Sequence, residues 1–509
     1  MLFSGVASIG YPGAAWQVPK LHHSPDCLHH RGWHDVAAAL TVGGVHHVFQ
    51  GCPEAGGWSH ASSKDLVHWK DLGLGPVAVN ETYAGMQSME SPCSGFIAVD
   101  DAGTPCAGFR QCGSTRGTTE LNPAAHPWDV PMEVRCAQDE ELTEWGPPQW
   151  LNPIYYYRAL PYDPVRPWKD FDGKWYYGLS TDGCNSTTRR VPCTAGGRLE
   201  LFTADHFDGP WTQLAPLFTT NTTMSGRAVD HSCTGEFVTS DYFGALPGDP
   251  DGGKTRVLTQ NRVGPTFWVG QQSNGGPFTA YWGKRGAIGH YDYGDLTMAR
   301  TLGGDPNQVA VGGRKVLIGW IGGGKYRTPA SQSLARDLSL SAGYELLQTF
   351  VPELEALRGV GTHTTAVGRI AAASMQLEIF ATFSIPSTAS LPAVAAFGVD
   401  VLAAMDGSSA VSLLVDCSAL ADADADCHVV VDATGQGGKV YKAPLLYGAG
   451  DNGTVSMHAI VDHSIIELIV NNRTAIVAYA YPPTDQHSGV RLFGTEVQAK
   501  LDYWPLRGI

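Results

Sequence analysis

The sequence predicts an all-β protein in which a β-propeller is followed by a β-sandwich. Three observations carry that expectation. The chain of 509 residues is rich in glycine (61) and in aromatic side chains (17 Phe, 14 Trp and 19 Tyr), yet only 16% of it is charged. This composition suits short strands joined by tight turns and lacks the Glu, Lys and Arg that long exposed helices draw on. A loose repeat recurs along the first two-thirds of the chain, and the pattern of apolar runs changes near residue 350.

The repeat starts with Ser63-Lys64-Asp65-Leu66-Val67-His68-Trp69. It returns as Asp139-Glu140-Glu141-Leu142-Thr143-Glu144-Trp145, and again as Thr203-Ala204-Asp205 through Gly209-Pro210-Trp211. In each copy a strand runs into a polar turn and a Trp opens the next strand. The copies lie roughly 70 residues apart, room for about four strands with long loops, as in a propeller blade. Val45–Phe49, Lys174–Leu179 and Lys315–Ile321 read as strands after turns. Pro352–Arg358 is a short helix-like run with acidic residues early and Arg late. The linker is therefore expected at 349–364, between a propeller over 1–348 and a sandwich over 365–509. Val399–Leu402, Val411–Val415 and Ile465–Val470 are spaced as sandwich strands.

Composition also excludes function classes. An apolar fraction of 43% rules out a disordered chain, and a net charge of −15 without a basic block argues against nucleic acid or an anionic membrane as partner. No apolar run approaches the roughly 18 residues of a membrane span. Met1–Trp16 lacks a basic start and is broken by Gly and Pro, so it does not read as a signal peptide. Five sequons, at Asn80, Asn185, Asn221, Asn452 and Asn472, nevertheless point to the secretory route or a vacuole. Of the 11 Cys, Cys184/Cys193 and Cys417/Cys427 flank short polar segments and are disulfide candidates. Cys27, Cys52, Cys93, Cys106, Cys112, Cys136 and Cys233 have no evident partners. The His22-His23, His29-His30 and His46-His47 pairs do not read as metal ligands, because neighbours on a strand point to opposite faces. No cofactor or metal is expected.

Several ordered motifs carry a resemblance. Trp33-His34-Asp35-Val36-Ala37-Ala38-Ala39-Leu40 through Phe49 aligns without gaps on the start of glycoside hydrolase family 32, whose motif there is Asn-Asp-Pro-Asn-Gly. Gly57-Trp58-Ser59-His60-Ala61-Ser62-Ser63-Lys64-Asp65-Leu66-Val67-His68-Trp69 resembles the family's Trp-Gly-His-Ala-x-Ser-x-Asp-Leu-x-x-Trp. Cys93-Ser94-Gly95-Phe96 is similar to Phe-Ser-Gly-Ser, Tyr162-Asp163-Pro164 to Arg-Asp-Pro, and Glu236-Phe237 to Glu-Cys. Val461-Asp462-His463 through Asn471 resembles the sandwich signature; Arg336–Leu340 and Leu354–Arg358 resemble the passage between the domains. The family comprises invertases, inulinases, levanases and fructosyltransferases. The resemblance implies five propeller blades, then a β-sandwich, and a sugar substrate.

It also implies roles. Retaining cleavage of a glycosidic bond needs one ionised carboxylate to attack and one protonated carboxyl to release the leaving oxygen. By resemblance Asp35 is the nucleophile, Glu236 the acid/base and Asp163 the transition-state stabiliser. His34, Trp58, His60, Ser94 and Tyr162 are candidate substrate contacts; His463 and Glu467 read as structural. The pattern departs from the family where both Asn beside Asp35 are lost and Tyr162 replaces the Arg of Arg-Asp-Pro, removing charge and bidentate geometry. Arg158 and Arg166 are the nearby candidates to replace that cation. The expected activity is retaining hydrolysis of terminal β-D-fructofuranosides. A fructosyltransferase, a related furanosidase and a non-catalytic sugar-binding propeller are the alternatives.

Overall fold

The computed structural model describes residues 14–24, 35–52, 57–77, 82–83, 86–87, 92–111, 132–151, 161–182, 197–219, 241–244, 246–261, 265–273, 275–284, 286–303, 313–322, 330–385, 396–417, 427–446, 451, 453–494 and 497–509. Five antiparallel sheets follow one another in the chain. Their first strands are Val36–Val42, Pro92–Val99, Pro161–Pro164, Tyr242–Gly244 and Leu296–Thr301. Each sheet then steps outward through successive hairpins, as in Val36–Val42, Val45–Cys52, Gly57–Ser63 and Lys70–Val77. The first hairpin closes through Gly43 and Gly44, both at positive φ (58° and 78°), the backbone a type I′ turn requires.

Each sheet buries apolar residues against the next. Phe49, Trp58, Ile97 and Phe109 fill the seam between sheets one and two. Phe96, Trp175, Tyr177 and Trp211 fill the following one. Trp168, Tyr242 and Trp268 join sheets three and four, and Phe243, Phe267, Leu317 and Leu338 join four and five. Val36, Val48 and Ile318 close the ring from sheet five to sheet one, where Leu40 also bridges Gly303 in parallel. This is a β-propeller whose described residues form five sheets of four or more strands, besides the small hairpin Thr82–Tyr83/Met86–Gln87. The first strands line its axis.

The sequence repeat is the connection between third and fourth strands. Asp65 and Asp139 organise two of these turns by accepting backbone N–H groups, those of Val67 and His68 and those of Thr143 and Glu144. Trp211 packs edge-on against Tyr177 at 4.8 Å. The same connection recurs in sheet four with Phe278 in place of the Trp, and in sheet five as the turn Ser341–Glu345. Both escaped the sequence reading because the Trp is replaced and the turn is shorter.

The sandwich follows a two-turn 3₁₀ helix, Pro352–Leu357, which buries Leu354 and Leu357. One six-stranded sheet contains Gln376–Ser384, Thr454–Asp462, Ile465–Val470 and Thr474–Tyr479; the other contains Ala396–Ala403, Val411–Asp416 and His428–Asp432. Their alternating inner residues form one apolar core. Ile465–Val470 and Thr474–Tyr479 are buried on both faces, because Ile460, Ile469 and Ala475 turn outward into propeller clusters. Propeller residues Tyr293 and Asp295 donate backbone N–H groups to Ala475 and Val477.

Residues 14–24 strap the two domains. Trp16 and Gln17 donate to the Pro482 carbonyl on the sandwich, while the His23 carbonyl accepts from Gln332 of the propeller. Cys417–Cys427 is a disulfide, as its short loop predicts, and Cys106–Cys136 joins directly opposed residues of neighbouring strands. Cys52 is also disulfide-bonded. Cys184 and Cys193 lie outside the described residues. Asn472 is exposed on a hairpin turn; Thr474 of its sequon is buried.

Candidate active site

A shared irregularity marks the inner strands. Val36 and Ala38 face Gln50 and Phe49; Pro92 and Gly95 face Gln111 and Phe109. Pro161 and Pro164 face Thr181 and Leu179, and Thr297 and Arg300 face Trp320 and Ile318. In each pair of contacts the inner strand carries one extra residue. Four of the five inner strands are therefore bulged towards their N-terminal ends or middles. A bulge bends its strand and redirects side chains, and bulges concentrate next to active sites.

Four of the candidate residues fall at or beside these breaks. Asp35 immediately precedes the first inner strand, is half-buried, and accepts the Gly51 N–H at its carbonyl, 2.9 Å away. Ser94 lies in the bulged segment of the second inner strand, and Tyr162 and Asp163 in that of the third. His34, Arg158 and Glu236 lie outside the described residues. Ala37, Ala38 and Ala39 follow Asp35 and are almost wholly buried. Their small side chains suit the crowded axis.

Trp58 and His60 sit further out. Trp58 is fully buried, edge-on to Phe109 at 5.4 Å and to Phe49 at 6.2 Å. His60 stacks on Phe49 at 4.1 Å and its Nε2 lies 2.9 Å from His47 Nδ1. Burial, and then His47, depress the His60 pKa to about 3; burial and His46 depress that of His47 to about 4. Both rings are neutral at physiological pH and occupy the seam between sheets one and two. His46 points the other way, to Thr41 Oγ1 at 2.9 Å.

Below the bulges the axis is crossed by a charge cluster that the sequence did not reveal. Arg166 Nη1 donates to the Ala39 carbonyl at 3.1 Å. Its Nη2 donates to both Asp241 oxygens at 3.2 Å, to the Thr301 carbonyl at 3.0 Å and to Thr301 Oγ1 at 3.1 Å. Asp241 further accepts the Thr301 N–H at 2.7 Å and the Tyr242 N–H at 3.0 Å. Arg300 Nη2 reaches the Gly95 carbonyl at 2.9 Å. Burial pushes the Asp241 pKa up, but Arg166, Arg300 and Thr301 outweigh it and hold the carboxylate below its ordinary range. Both terminal nitrogens of Arg166 are thus engaged by the protein, which removes it from the role of replacement pocket cation. The only sequence hint was a charged residue beside an otherwise apolar inner strand.

Other features lie apart from this convergence. An open groove of about 470 Å³ among outer strands is lined by Ser62, Lys64, Lys70 and Glu140 and by none of the candidate residues. Among the described residues, one grouping has metal-ligand spacing, Asp100 with Cys106 and Cys136, and its sulfurs form a disulfide.

Residues 353–505 match the family described as "Glycosyl hydrolases family 32 C terminal". The sandwich domain thus matches the C-terminal domain of glycoside hydrolase family 32. The chain is 23% identical to acid beta-fructofuranosidase 2, vacuolar, of a Rosa hybrid cultivar, over 97% of this chain and 81% of that protein. The fold resembles that of fructan 1-exohydrolase IIa of Cichorium intybus, solved with 1-kestose (TM-score 0.72, 17% identity, 97% and 98% coverage). It likewise resembles the exo-inulinase of Aspergillus awamori (TM-score 0.71, 16% identity, 96% and 98% coverage). The match and the curated relative support a glycosidase, and the disulfides fit an oxidising compartment.

Proposed function

We propose that this chain is a family 32 retaining glycosidase acting on terminal β-D-fructofuranosides, sucrose or fructans, through a covalent fructosyl intermediate. Asp35 is its nucleophile, Glu236 its acid/base and Asp163 its stabiliser of the ring hydroxyls. One observation carries most of the reading: Asp35 and Asp163 stand at or in the irregular stretches of two inner strands facing one axis. Retention requires the nucleophile and acid/base about 5 Å apart across the scissile bond. Such mutual proximity raises the second carboxyl's pKa, so that it carries the proton the leaving oxygen needs. Asp35 then attacks the anomeric carbon, Glu236 protonates the departing sugar, and Glu236 next deprotonates the water that frees the fructose. Asp163 suits the remaining task, since charge-assisted bonds to hydroxyls are strong and directional. The loss of the Asn neighbours and of the Arg at Tyr162 is expected to alter substrate contacts rather than the chemistry.

The test is product identification with sucrose, raffinose, 1-kestose, inulin, levan and aryl furanosides. Fructose should be released, and Asp35→Ala and Glu236→Gln should each lower kcat by on the order of 10³-fold or more. Turnover surviving either change would refute the assigned role. Longer oligosaccharides accumulating at high sucrose would show that a sugar, not water, is the preferred acceptor.

A further inference from the structure

The axial charge cluster lies a few residues downstream of each proposed catalytic carboxylate. Ala39, whose carbonyl takes Arg166 Nη1, follows Asp35 along the first inner strand. Arg166 itself follows Asp163 just past the third inner strand. Asp241 follows Glu236 in the chain and directly precedes the fourth inner strand. Thr301 ends the fifth inner strand and closes the set. One guanidinium therefore holds, within 3.2 Å, atoms belonging to the chain segments that carry all three candidates. In extended chain, three to five residues from this cluster back to the carboxylates would span roughly 10–17 Å.

The chemical character of the cluster favours rigidity. Arg166, Asp241 and Thr301 are each at most 4% exposed. Thr301 Oγ1 accepts from Arg166 and donates to Asp241 Oδ2 at 2.5 Å, so that charge, hydroxyl and carboxylate fix one another. The planar fork of an arginine has a defined geometry that a lysine ammonium lacks. Four inner strands are bulged, which breaks the regular ladder that ties each to the rest of its own sheet.

We propose that Arg166, paired with Asp241, is a positioning residue for the fructosidase reaction: it fixes the mutual distances of the inner strands that adjoin Asp35, Asp163 and Glu236 in the chain. It touches no reacting atom. The proposal rests on the function assigned above, and extends it from the carboxylates to what spaces them.

The test uses the full-length protein and the variants Arg166→Lys, Asp241→Asn and Thr301→Val, with Arg166→Met as the severe case. Steady-state kinetics on the best substrate are followed across pH, beside thermal midpoints. A misplacement near 1 Å costs about 10²-fold in rate. Arg166→Met should therefore lose about 10²-fold in kcat with KM changed less than about threefold, and Arg166→Lys should recover part of the loss. Carboxylates allowed to drift apart repel less, which lowers the acid/base pKa. The alkaline limb of the pH–rate profile should accordingly move to lower pH in every variant that folds. If Arg166→Met fails to fold, Thr301→Val, which keeps both charges, carries the same readouts. Variants with lowered midpoints but unchanged kcat and pH limbs would overturn the proposal, leaving Arg166 merely structural. A wild-type protein that turns over no furanoside would overturn the functional reading and this proposal with it, an outcome distinct from variant data on an active wild type.

Discussion

At the propeller axis one carboxylate, Asp241, answers Arg166, with Arg300 close by. At the seam between the domains two cations, His22 and Arg336, face three carboxylates, Asp292, Asp462 and Glu467. The balance of each cluster reflects the backbone groups it serves. An inner strand has little pairing on its axial edge, so backbone groups of both kinds need partners there; Arg166 and Arg300 donate to the carbonyls of Ala39, Thr301 and Gly95, and Asp241 accepts the N–H groups of Thr301 and Tyr242. At the seam it is N–H groups that lack partners. Asp462 accepts those of Lys20, Leu21 and His22, and Glu467 accepts that of Leu334. Cations supply most of the backbone contacts at the axis and anions most of those at the seam, and the opposite charge in each place makes burial tolerable.

The seam should fail hardest when its central cation is removed. Arg336 is fully buried, reaching Glu467 at 2.7 Å, Asp292 at 3.1 Å and Gln348 at 3.1 Å. Arg336→Met leaves both carboxylates buried without it, at an expected cost of about 3–5 kcal/mol. Denaturant unfolding measures this; a loss under about 1 kcal/mol would mean that water or rearrangement replaces the guanidinium.

The two clusters should also part company with pH. Burial opposes charge on His22, but the hydrogen bonds and charges of Asp462 and Glu467 prevail and raise its pKa to about 9. A pKa raised above the unfolded value of about 6.5 gives stability that is complete below that pH and disappears as pH rises to about 9. Asp462 and Glu467 are held low, so their contribution is present above the ordinary carboxylate range and is lost in acid. Between pH 6 and pH 9 the wild type should lose about 2–3 kcal/mol. His22→Gln should abolish most of that slope. An unchanged slope would assign the pH dependence to other groups.

What could be read from the sequence was what repeats or stays local. Strands such as Lys315–Ile321 and Ile465–Val470 match the expected spans because their apolar runs end at turn residues. Cys417–Cys427 was visible because the loop it closes is short. Cys106–Cys136 was not, since its partners meet only through strand pairing. The bulges of the inner strands leave no compositional mark, and Arg166 gives no sign of Asp241, which the ring closure brings to it. Motif resemblance alone singled out Asp35, Asp163 and Glu236; a lone Asp before a strand reads as a turn cap. Arg336 and Glu467 stood in two separately recognised motifs, and only the docking of the domains joins them.

A smaller effect probes how closely the seam is packed. Gly294 lies where an added Cβ would stand 1.8 Å from the Val477 carbonyl oxygen, and that oxygen accepts the Asp295 N–H. Backbone cannot step aside as a side-chain tip can. Gly294→Ala should destabilise by about 1–3 kcal/mol through overpacking, without altering the slope of stability with pH. A neutral result would mean that the 293–295 segment shifts away from the sandwich edge.

Exposure supplies the lower bound. Arg314 grips Asp337 at 2.5 and 2.9 Å and Glu353 at 2.5 and 2.8 Å, a fork as complete as either buried cluster. Yet its side chain is 41% exposed. Water already solvates these charges, so the pair replaces hydration it barely needs to replace, and salt screens the remainder. Arg314→Ala should cost no more than about 1 kcal/mol, and less in 1 M salt, whereas the cost of Arg336→Met should be nearly independent of salt. Equal costs for the two substitutions would show that fork geometry, not desolvation, sets the strength of these clusters. The contrast between axis and seam would then rest on their hydrogen bonds alone.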